Sequence, residues 1–123
     1  MRPWIVLAGL NGLVAIGMGA YGAHGLAGDP VAQAWTEQAS HYQLIHALAL
    51  AIADRVANGT GRRGGCRLAH GAAALFLLGM VLFCGSLYAK ALGWSLPMPM
   101  VTPAGGMALM AAWFTLALSG LRQ

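Results

Sequence analysis

The chain has 123 residues, of which 59% are hydrophobic and only 8% charged. Soluble domains average roughly 45–50% apolar and 25% charged residues. Seven Lys and Arg against three Asp and Glu give a formal charge of +4, and ten charges cannot cover a soluble surface of this size. The composition therefore excludes a soluble enzyme, a disordered tail and a basic nucleic-acid-binding domain. The length predicts a single domain, 1–123.

Four apolar stretches predict transmembrane helices, because about 20 mostly apolar residues cross a hydrocarbon core of about 30 Å. The first exceeds the 7–15 apolar residues of a signal peptide, so we expect it to be retained as a helix. Short connections favour antiparallel neighbours. The sequence thus predicts an all-α, transmembrane four-helix up-down-up-down bundle. The predicted spans are residues 3–22, 34–56, 68–89 and 101–120.

The basic residues predict the orientation of these spans, because cytoplasmic loops carry an excess of Lys and Arg. If the central connection is cytoplasmic, both termini are cytoplasmic as well. Only Lys90 then lies outside, together with the acidic residues Asp29 and Glu37, while Asp54 lies inside. The six basic residues on the cytoplasmic side are Arg2, Arg55, Arg62, Arg63, Arg67 and Arg122.

Small residues recur at four-residue spacing in the first span. Eighteen glycines are about twice the average share of ~7%, and such stripes let helix backbones approach closely in lipid. Two interpretations stay open: packing within the chain, or a homo-oligomer contact. The stripes are Ala8 with Gly12, and Ala15 with Gly19 and Ala23.

The second span carries the most informative polar residues. With Glu37 at 0° on a helical wheel, His41 falls at about 40°, Gln38 at about 100°, Tyr42 at about 140° and His46 at about 180°. These five residues occupy one half of the wheel. Because polar groups within a membrane are costly, we expect this face to meet protein or water. Ser40 and Gln43 fall outside this half of the wheel.

The predicted topology brings polar residues of all four spans into the outer half of the membrane. His46 would be the deepest, about 18 Å along the second helix. The predicted polar cluster consists of His24, Glu37, Gln38, His41, Tyr42, His46, Ser86, Tyr88, Lys90 and Thr102.

Three interpretations of this cluster compete. It could be a network of hydrogen bonds that holds the helices in register. It could be a small-ligand or ion pocket open to the outside, with Glu37, His41 and Tyr42 at its mouth. It could also be a metal or haem site that uses His24, His41 and His46.

The metal interpretation is the least favoured by spacing. Two ligands on one helix prefer an i,i+4 separation, whereas His41 and His46 are five residues apart and diverge by about 140°. We therefore expect no metal and no other cofactor. The sequence also lacks a nucleophile elbow, a phosphate loop and a zinc-protease motif, so we expect no enzyme.

Four ordered motifs carry a resemblance that spans nearly the whole chain, from about Ala8 to Leu118. They resemble domain-of-unknown-function family 423, the YgdD-type small inner-membrane proteins related to human transmembrane protein 256. The third motif departs from the family pattern, because Cys84 stands where a serine is usual. The motifs are Gly19-Ala-Tyr-Gly-Ala-His-Gly-Leu26, His41-Tyr-Gln-Leu-Ile-His-Ala-Leu48, Leu82-Phe-Cys-Gly-Ser-Leu-Tyr88 and Thr102-Pro-Ala-Gly-Gly106.

The resemblance implies a four-span protein of the bacterial inner membrane and supplies no activity. Two functions of different classes remain. The preferred one is a non-enzymatic membrane protein whose polar cluster is structural or accessory to a partner, within a homo-oligomer or a larger membrane complex. The alternative is a small carrier or binding protein that takes a polar solute or a proton from the outside. Partners besides the lipid bilayer are not named by the sequence, and no nucleic acid is expected.

Overall fold

The computed structural model describes residues 1–94 and 99–123. These residues form four α-helices, and no strand occurs in the described ranges. The predicted all-α class and its four helices are therefore confirmed. The helices are α1 (Pro3–Gly25), α2 (Pro30–Ala57), α3 (Arg63–Ala91) and α4 (Val101–Leu121).

The helices extend beyond the predicted spans, most of all at α2 and α3. The predicted bounds followed the apolar runs, whereas backbone hydrogen bonding continues until a cap or a break ends the helix. The start of α2 shows this, because Asp29 accepts a hydrogen bond from the Ala32 amide at 3.1 Å and Pro30 occupies the first turn. The connections shorten accordingly. Residues 26–29 join α1 to α2, and residues 58–62 join α2 to α3.

Glycine terminates α3. Gly93 has a φ of +80°, a conformation that side chains disfavour. Its amide donates to the Lys90 carbonyl at 3.1 Å, and the Trp94 amide donates to the Ala89 carbonyl at 2.8 Å. This pair of bonds is a Schellman motif, which satisfies carbonyls that the helix leaves free. The predicted break at Pro97-Met98-Pro99 begins outside the described residues.

Contacts between consecutive helices join residues whose numbers rise along one helix as they fall along the next. Helix α2 packs against α1 and α3, and α3 packs against α2 and α4. We call the two ends of the bundle the Asp29 end, where α1 ends and α2 begins, and the Arg62 end, which also holds Arg2 and Arg122. The contacts include Gly22 with Thr36, Arg2 with Asp54, Gln43 with Tyr88, Ser86 with Thr102, and Gly65 with Ser119.

Three of the described helices, α1, α3 and α4, are long and apolar enough to cross a membrane. Helix α2 has 28 residues but is less apolar, because its first half carries Glu37, Gln38 and His41. Among the apolar helices, α3 is the most buried within the protein. The structure thus has a polar helix and an apolar helix at its centre, with α1 and α4 on the outside.

The helices pack through small residues. In α1 the buried residues are Ala8, Ala15 and Gly22, at seven-residue spacing. This set corrects part of the predicted stripes, because Ala23 is exposed and Gly12 and Gly19 are only half-buried. Packing by seven-residue spacing places one residue of every second turn against the neighbouring helix.

Glycine allows the closest approach between α3 and α4. A Cβ atom at Gly79 would lie 2.6 Å from the Leu109 side chain, and one at Gly105 would lie 2.8 Å from the Cα of Phe83. Both distances are shorter than van der Waals contact, so a side chain would force the helices apart. The core beside this contact contains Leu50, Phe76, Met80 and Leu109.

Candidate functional site: a polar network between the helices

A chain of three polar side chains joins α1, α2 and α3. The Gln43 amide nitrogen donates to the Asn11 side-chain oxygen at 2.9 Å, and the Tyr88 hydroxyl donates to the Gln43 side-chain oxygen at 2.7 Å. Asn11 in turn donates to the Leu7 carbonyl at 2.9 Å. Gln43 lies at the middle of α2 and is buried. We call Asn11, Gln43 and Tyr88 the amide–tyrosine chain.

His46 connects α2 to α4. The indole N–H of Trp113 donates to Nε2 of His46 at 3.0 Å. Because Nε2 accepts, Nδ1 carries the proton and donates to the Tyr42 carbonyl at 2.6 Å. The imidazole is therefore the neutral Nδ1–H tautomer, and both ring nitrogens have partners.

Aromatic rings surround this imidazole. The centroids of Tyr42, Phe76 and Trp113 lie 5.8–5.9 Å from that of His46, and Phe83 packs on Tyr42 at 4.8 Å. Such rings pack at centroid distances of about 4.5–7 Å. They leave His46 only 5% exposed. A groove of about 620 Å³ between α2 and α4 reaches this aromatic group and is otherwise lined by apolar side chains and glycine.

Further polar contacts lie outside the amide–tyrosine chain and the surroundings of His46. Ser86 on α3 hydrogen-bonds to Thr102 on α4. At the Arg62 end, Arg2 forms an ion pair with Asp54, whose side chain is fully buried. Asn58 also donates to the Asp54 carboxylate at 3.1 Å. A last contact links α1 to α3, where the Trp4 indole donates to Nδ1 of His70 at 3.0 Å.

A polar cleft of about 450 Å³ opens between α1 and α2 at the Asp29 end. Its floor is formed by backbone and small residues, including Gly19 and Gly22. The side chains of Gln33, Glu37 and His41 line it, with the buried Ser40 beside them. We call this the α1–α2 cleft. It brings together one carboxylate and one imidazole that the sequence placed near a pocket mouth.

The ten residues of the predicted cluster divide into three environments. His46 and Ser86 are buried and hydrogen-bonded, and Tyr88 and Thr102 are half-buried partners of Gln43 and Ser86. The other six side chains are exposed: His24, Glu37, Gln38, His41, Tyr42 and Lys90. The structure thus does not gather the ten residues at one point.

Three residues of the network were not among the predicted site residues. Asn11, Gln43 and Trp113 each provide one side of a contact between helices. Asn11 and Gln43 lie far from the ends of their helices. A polar side chain at such a position predicts a hydrogen bond to a neighbouring helix, because it would otherwise face lipid. Trp113 offers no such signal, because tryptophan is also common at membrane surfaces.

The described residues contain no group of three or more His, Cys, Asp or Glu side chains with the spacing of a metal site. Within the same part of the chain, every buried side-chain nitrogen and oxygen has a hydrogen-bond partner. A buried group without a partner is a common sign of a missing ligand. The buried polar side chains instead form hydrogen bonds with one another and with the backbone.

Comparison with known proteins gives consistent matches. A family model described as "Protein of unknown function (DUF423)" matches residues 18–106. The UPF0382 membrane protein YwdK of Bacillus subtilis is 33% identical over 125 residues, covering 99% of this chain and 98% of the relative. The UPF0382 inner membrane protein YgdD of Escherichia coli is 32% identical over 126 residues, covering 98% of this chain and 91% of the relative.

A further relative, the UPF0382 membrane protein SERP0230 of Staphylococcus epidermidis, is 34% identical over 125 residues. That match covers 99% of this chain and 98% of the relative. No solved structure matches the chain significantly.

Proposed function

Because the chain belongs to the DUF423 family of membrane proteins, we propose that it is a non-enzymatic inner-membrane protein whose polar network holds its helices together. The observation that carries this proposal is that the described buried polar atoms all have partners within the chain. These partners lie on neighbouring helices for the amide–tyrosine chain and for His46, so the buried polar side chains link the helices. In lipid such interhelical bonds contribute ~0.6 kcal/mol each on average.

The same proposal makes α2 the fourth membrane span. Its 28 residues would extend about 42 Å at 1.5 Å per residue, which exceeds a hydrocarbon core of about 30 Å. Its polar first turns lie at the Asp29 end, where they reach the membrane surface. Two of its buried polar residues, Gln43 and His46, are bonded to neighbouring helices and are thereby shielded from lipid.

We propose that the Arg62 end faces the cytoplasm. This end of the structure carries Arg2, Arg55 and Arg122 together with the α2–α3 connection. An excess of basic residues favours the cytoplasmic side. Both termini are then cytoplasmic, and the α1–α2 cleft opens to the outside.

A protein with this interior would act through its surface, as an accessory subunit of a homo-oligomer or of a larger membrane complex. The helices on the outside of the fold supply such a surface. In α1 most residues face away from the other helices, among them Leu13 and Ile16, and in α4 Met107, Met110 and Phe114 do so. Lipid or a protein partner would cover these side chains.

The test uses purified protein reconstituted into liposomes that contain a pH-sensitive dye. Under an imposed pH gradient, we expect the same proton flux as in protein-free liposomes. We also expect Gln43→Leu to lower the thermal stability of the protein and to leave the flux unchanged. A flux well above the protein-free rate would contradict the non-transporting proposal.

One observation favours a second candidate, a carrier or binding protein for a polar solute or a proton. The α1–α2 cleft is lined by an exposed carboxyl group, that of Glu37, and an exposed imidazole group, that of His41. In this case the flux would exceed the protein-free rate and Glu37→Gln would abolish the excess. Gln38→Ala is the matched control, because Gln38 is an exposed neighbour that does not line the cleft.

A further inference from the structure

A second polar recess lies between α3 and α4 at the Arg62 end. It is a groove of about 440 Å³, and we call it the arginine groove. Two rows of residues line it, and each row follows one face of its helix. The rows are Gly64, Arg67, Leu68 and Gly71 on α3, and Thr115, Leu118 and Arg122 on α4.

The groove exists because glycine occupies both ends of the α3 row. A Cβ atom at Gly64 would meet no other atom within 4 Å, and one at Gly71 would meet only the Thr115 methyl group at 3.9 Å. The two glycines are seven residues apart, or about 10 Å along the axis. A side chain at either glycine would therefore enter open space, and a large one would fill part of the groove.

The polarity of the groove changes along its length. Arg67 lies near the start of α3 and Arg122 directly follows α4, both at the Arg62 end of the bundle. Leu68, Gly71 and Leu118 continue from there toward the middle of the apolar helices. The Thr115 hydroxyl donates to the Ala111 carbonyl of its own helix at 2.8 Å, so it presents mainly its methyl group.

Among the described residues, neither arginine forms an ion pair with an acidic side chain. Asp29 and Glu37 belong to the Asp29 end, and Asp54 already pairs with Arg2. The chain has no other Asp or Glu. Arg67 and Arg122 therefore place two uncompensated positive charges at one mouth of an apolar channel. Guanidinium groups match the oxygen geometry of phosphate.

We propose that the arginine groove binds one anionic phospholipid from the membrane. The lipid phosphate lies between Arg67 and Arg122, and an acyl chain follows Leu68, Gly71 and Leu118. A free phosphate ion would use the charged mouth but would leave the apolar length of the groove empty. Basic recesses between spanning helices at the cytoplasmic surface suit lipid headgroups. This site is separate from the polar network and does not depend on its function.

The test measures lipid retention by native mass spectrometry of the full chain, released from nanodiscs of mixed phosphatidylglycerol and phosphatidylcholine. We expect one phosphatidylglycerol bound per chain. Each arginine near a surface contributes about fivefold to anionic lipid binding, so Arg67→Gln with Arg122→Gln should reduce the preference about 25-fold. The reconstitution uses ~0.15 M salt, at which charges more than about 8 Å apart are largely screened.

The matched control removes the same charge outside the groove. Arg62→Gln with Arg63→Gln alters two exposed arginines that do not line it, and this variant should retain most of the bound lipid. Equal loss in both double variants would show a general surface attraction and would overturn the proposal.

The apolar half of the groove has its own test. Gly71→Leu fills the channel and keeps every charge, so it should abolish retention, whereas Gly85→Leu, at an open glycine of the same helix, should not. Retention unchanged by Gly71→Leu would overturn the proposal. Adding sn-glycerol 3-phosphate to protein in pure phosphatidylcholine should give no bound adduct. A stoichiometric adduct would make the site one for free phosphate compounds and would equally overturn it.

Discussion

The hydroxyl of Tyr88 on α3 donates a 2.7 Å hydrogen bond to the side-chain oxygen of Gln43 on α2. The amide nitrogen of Gln43 is used in the opposite direction, toward Asn11 on α1. The side-chain nitrogen and oxygen of Gln43 thus form hydrogen bonds to two different helices. In hydrocarbon there is no water to replace either bond, so the pairing fixes the register of three helices at once.

The energy of this contact can be measured by a double-mutant cycle of Tyr88→Phe and Gln43→Leu. We expect Tyr88→Phe alone to lower the free energy of unfolding by ~0.6 kcal/mol, the average for interhelical bonds in a membrane, and by at most about 1.7 kcal/mol. Gln43→Leu should cost more, because it leaves both the Tyr88 hydroxyl and the side-chain oxygen of Asn11 without a partner. Unfolding by titration with sodium dodecyl sulfate gives the values. A coupling energy near zero would contradict a direct bond between the two residues.

His46→Leu should destabilise the protein more than Leu44→Ala. The substitution leaves the Trp113 indole N–H without its acceptor. In a membrane no water replaces that acceptor, and a donor left unpaired away from water costs ~1–3 kcal/mol. Leu44 is 40% exposed and loses little packing. His41→Leu is the matched control, because it makes the same change at an exposed position of the same helix. Thermal unfolding in detergent compares the three variants. A neutral His46→Leu with altered proton flux would favour the carrier function instead.

Gly79→Ala and Gly105→Ala should each destabilise the protein by about 1–3 kcal/mol. The new methyl group would overlap Leu109 in the first variant and the Phe83 backbone in the second, so α3 and α4 must separate. Gly85→Ala is the control in α3, because a Cβ atom there meets nothing within 4 Å. Melting temperatures in the same detergent provide the comparison. Alanine also has the higher helix propensity, so Gly85→Ala should be neutral or slightly stabilising. If Gly85→Ala were as harmful as Gly79→Ala, the contact of Gly79 with Leu109 could not be the cause.

Arg2→Gln should destabilise the protein by leaving the buried Asp54 carboxylate without its cation. Breaking a fully buried ion pair costs about 3–5 kcal/mol. The Arg2 side chain is 44% exposed, so solvent screening puts the expected loss below that range. Arg55→Gln, an exposed arginine next to Asp54 in sequence, is the control and should be nearly neutral. Asp54→Asn should restore part of the stability that Arg2→Gln removes; a further loss in the double variant would contradict the pairing.

The sequence predicted the helices better than the face by which α2 packs. Apolar length indicates a spanning helix, and the described residues do form four helices, of which α1, α3 and α4 are long and apolar enough to cross a membrane. The side of α2 that meets its neighbours is marked instead by small and weakly polar residues at three- and four-residue steps, from Thr36 through Ser40, Gln43 and Ala47 to Leu50. In lipid, burial follows close packing more than hydrophobicity.

The polar residues of the first half of α2 explain why the predicted cluster dispersed. Glu37, Gln38 and His41 are the strongest polar signals in the span, yet all three are exposed. They lie near the Asp29 end, where long polar side chains can reach water at the membrane surface. A helical wheel places them on the same half as His46, although His46 lies deeper along α2 and is buried. Trp113 and Asp54 bond to residues of other segments. The residue pattern of a single helix does not show how separate helices meet.

Orientation in the membrane is testable by single-cysteine labelling, in a background from which Cys66 and Cys84 have been removed. Gly28→Cys places the thiol in the α1–α2 connection without disturbing the Asp29 cap, since a Cβ atom there meets nothing within 4 Å. Thr60→Cys places it in the α2–α3 connection and keeps every arginine that determines topology.

With intact cells and a membrane-impermeant maleimide, we expect labelling of position 28 at once and of position 60 only after permeabilisation. The physical reason is the excess of arginine at the Arg62 end, which resists transfer across the membrane. Labelling both variants in detergent is the control for thiol reactivity. Immediate labelling at position 60 and protection at position 28 would invert the protein, so that the α1–α2 cleft faced the cytoplasm. The arginine groove would then meet the outer leaflet.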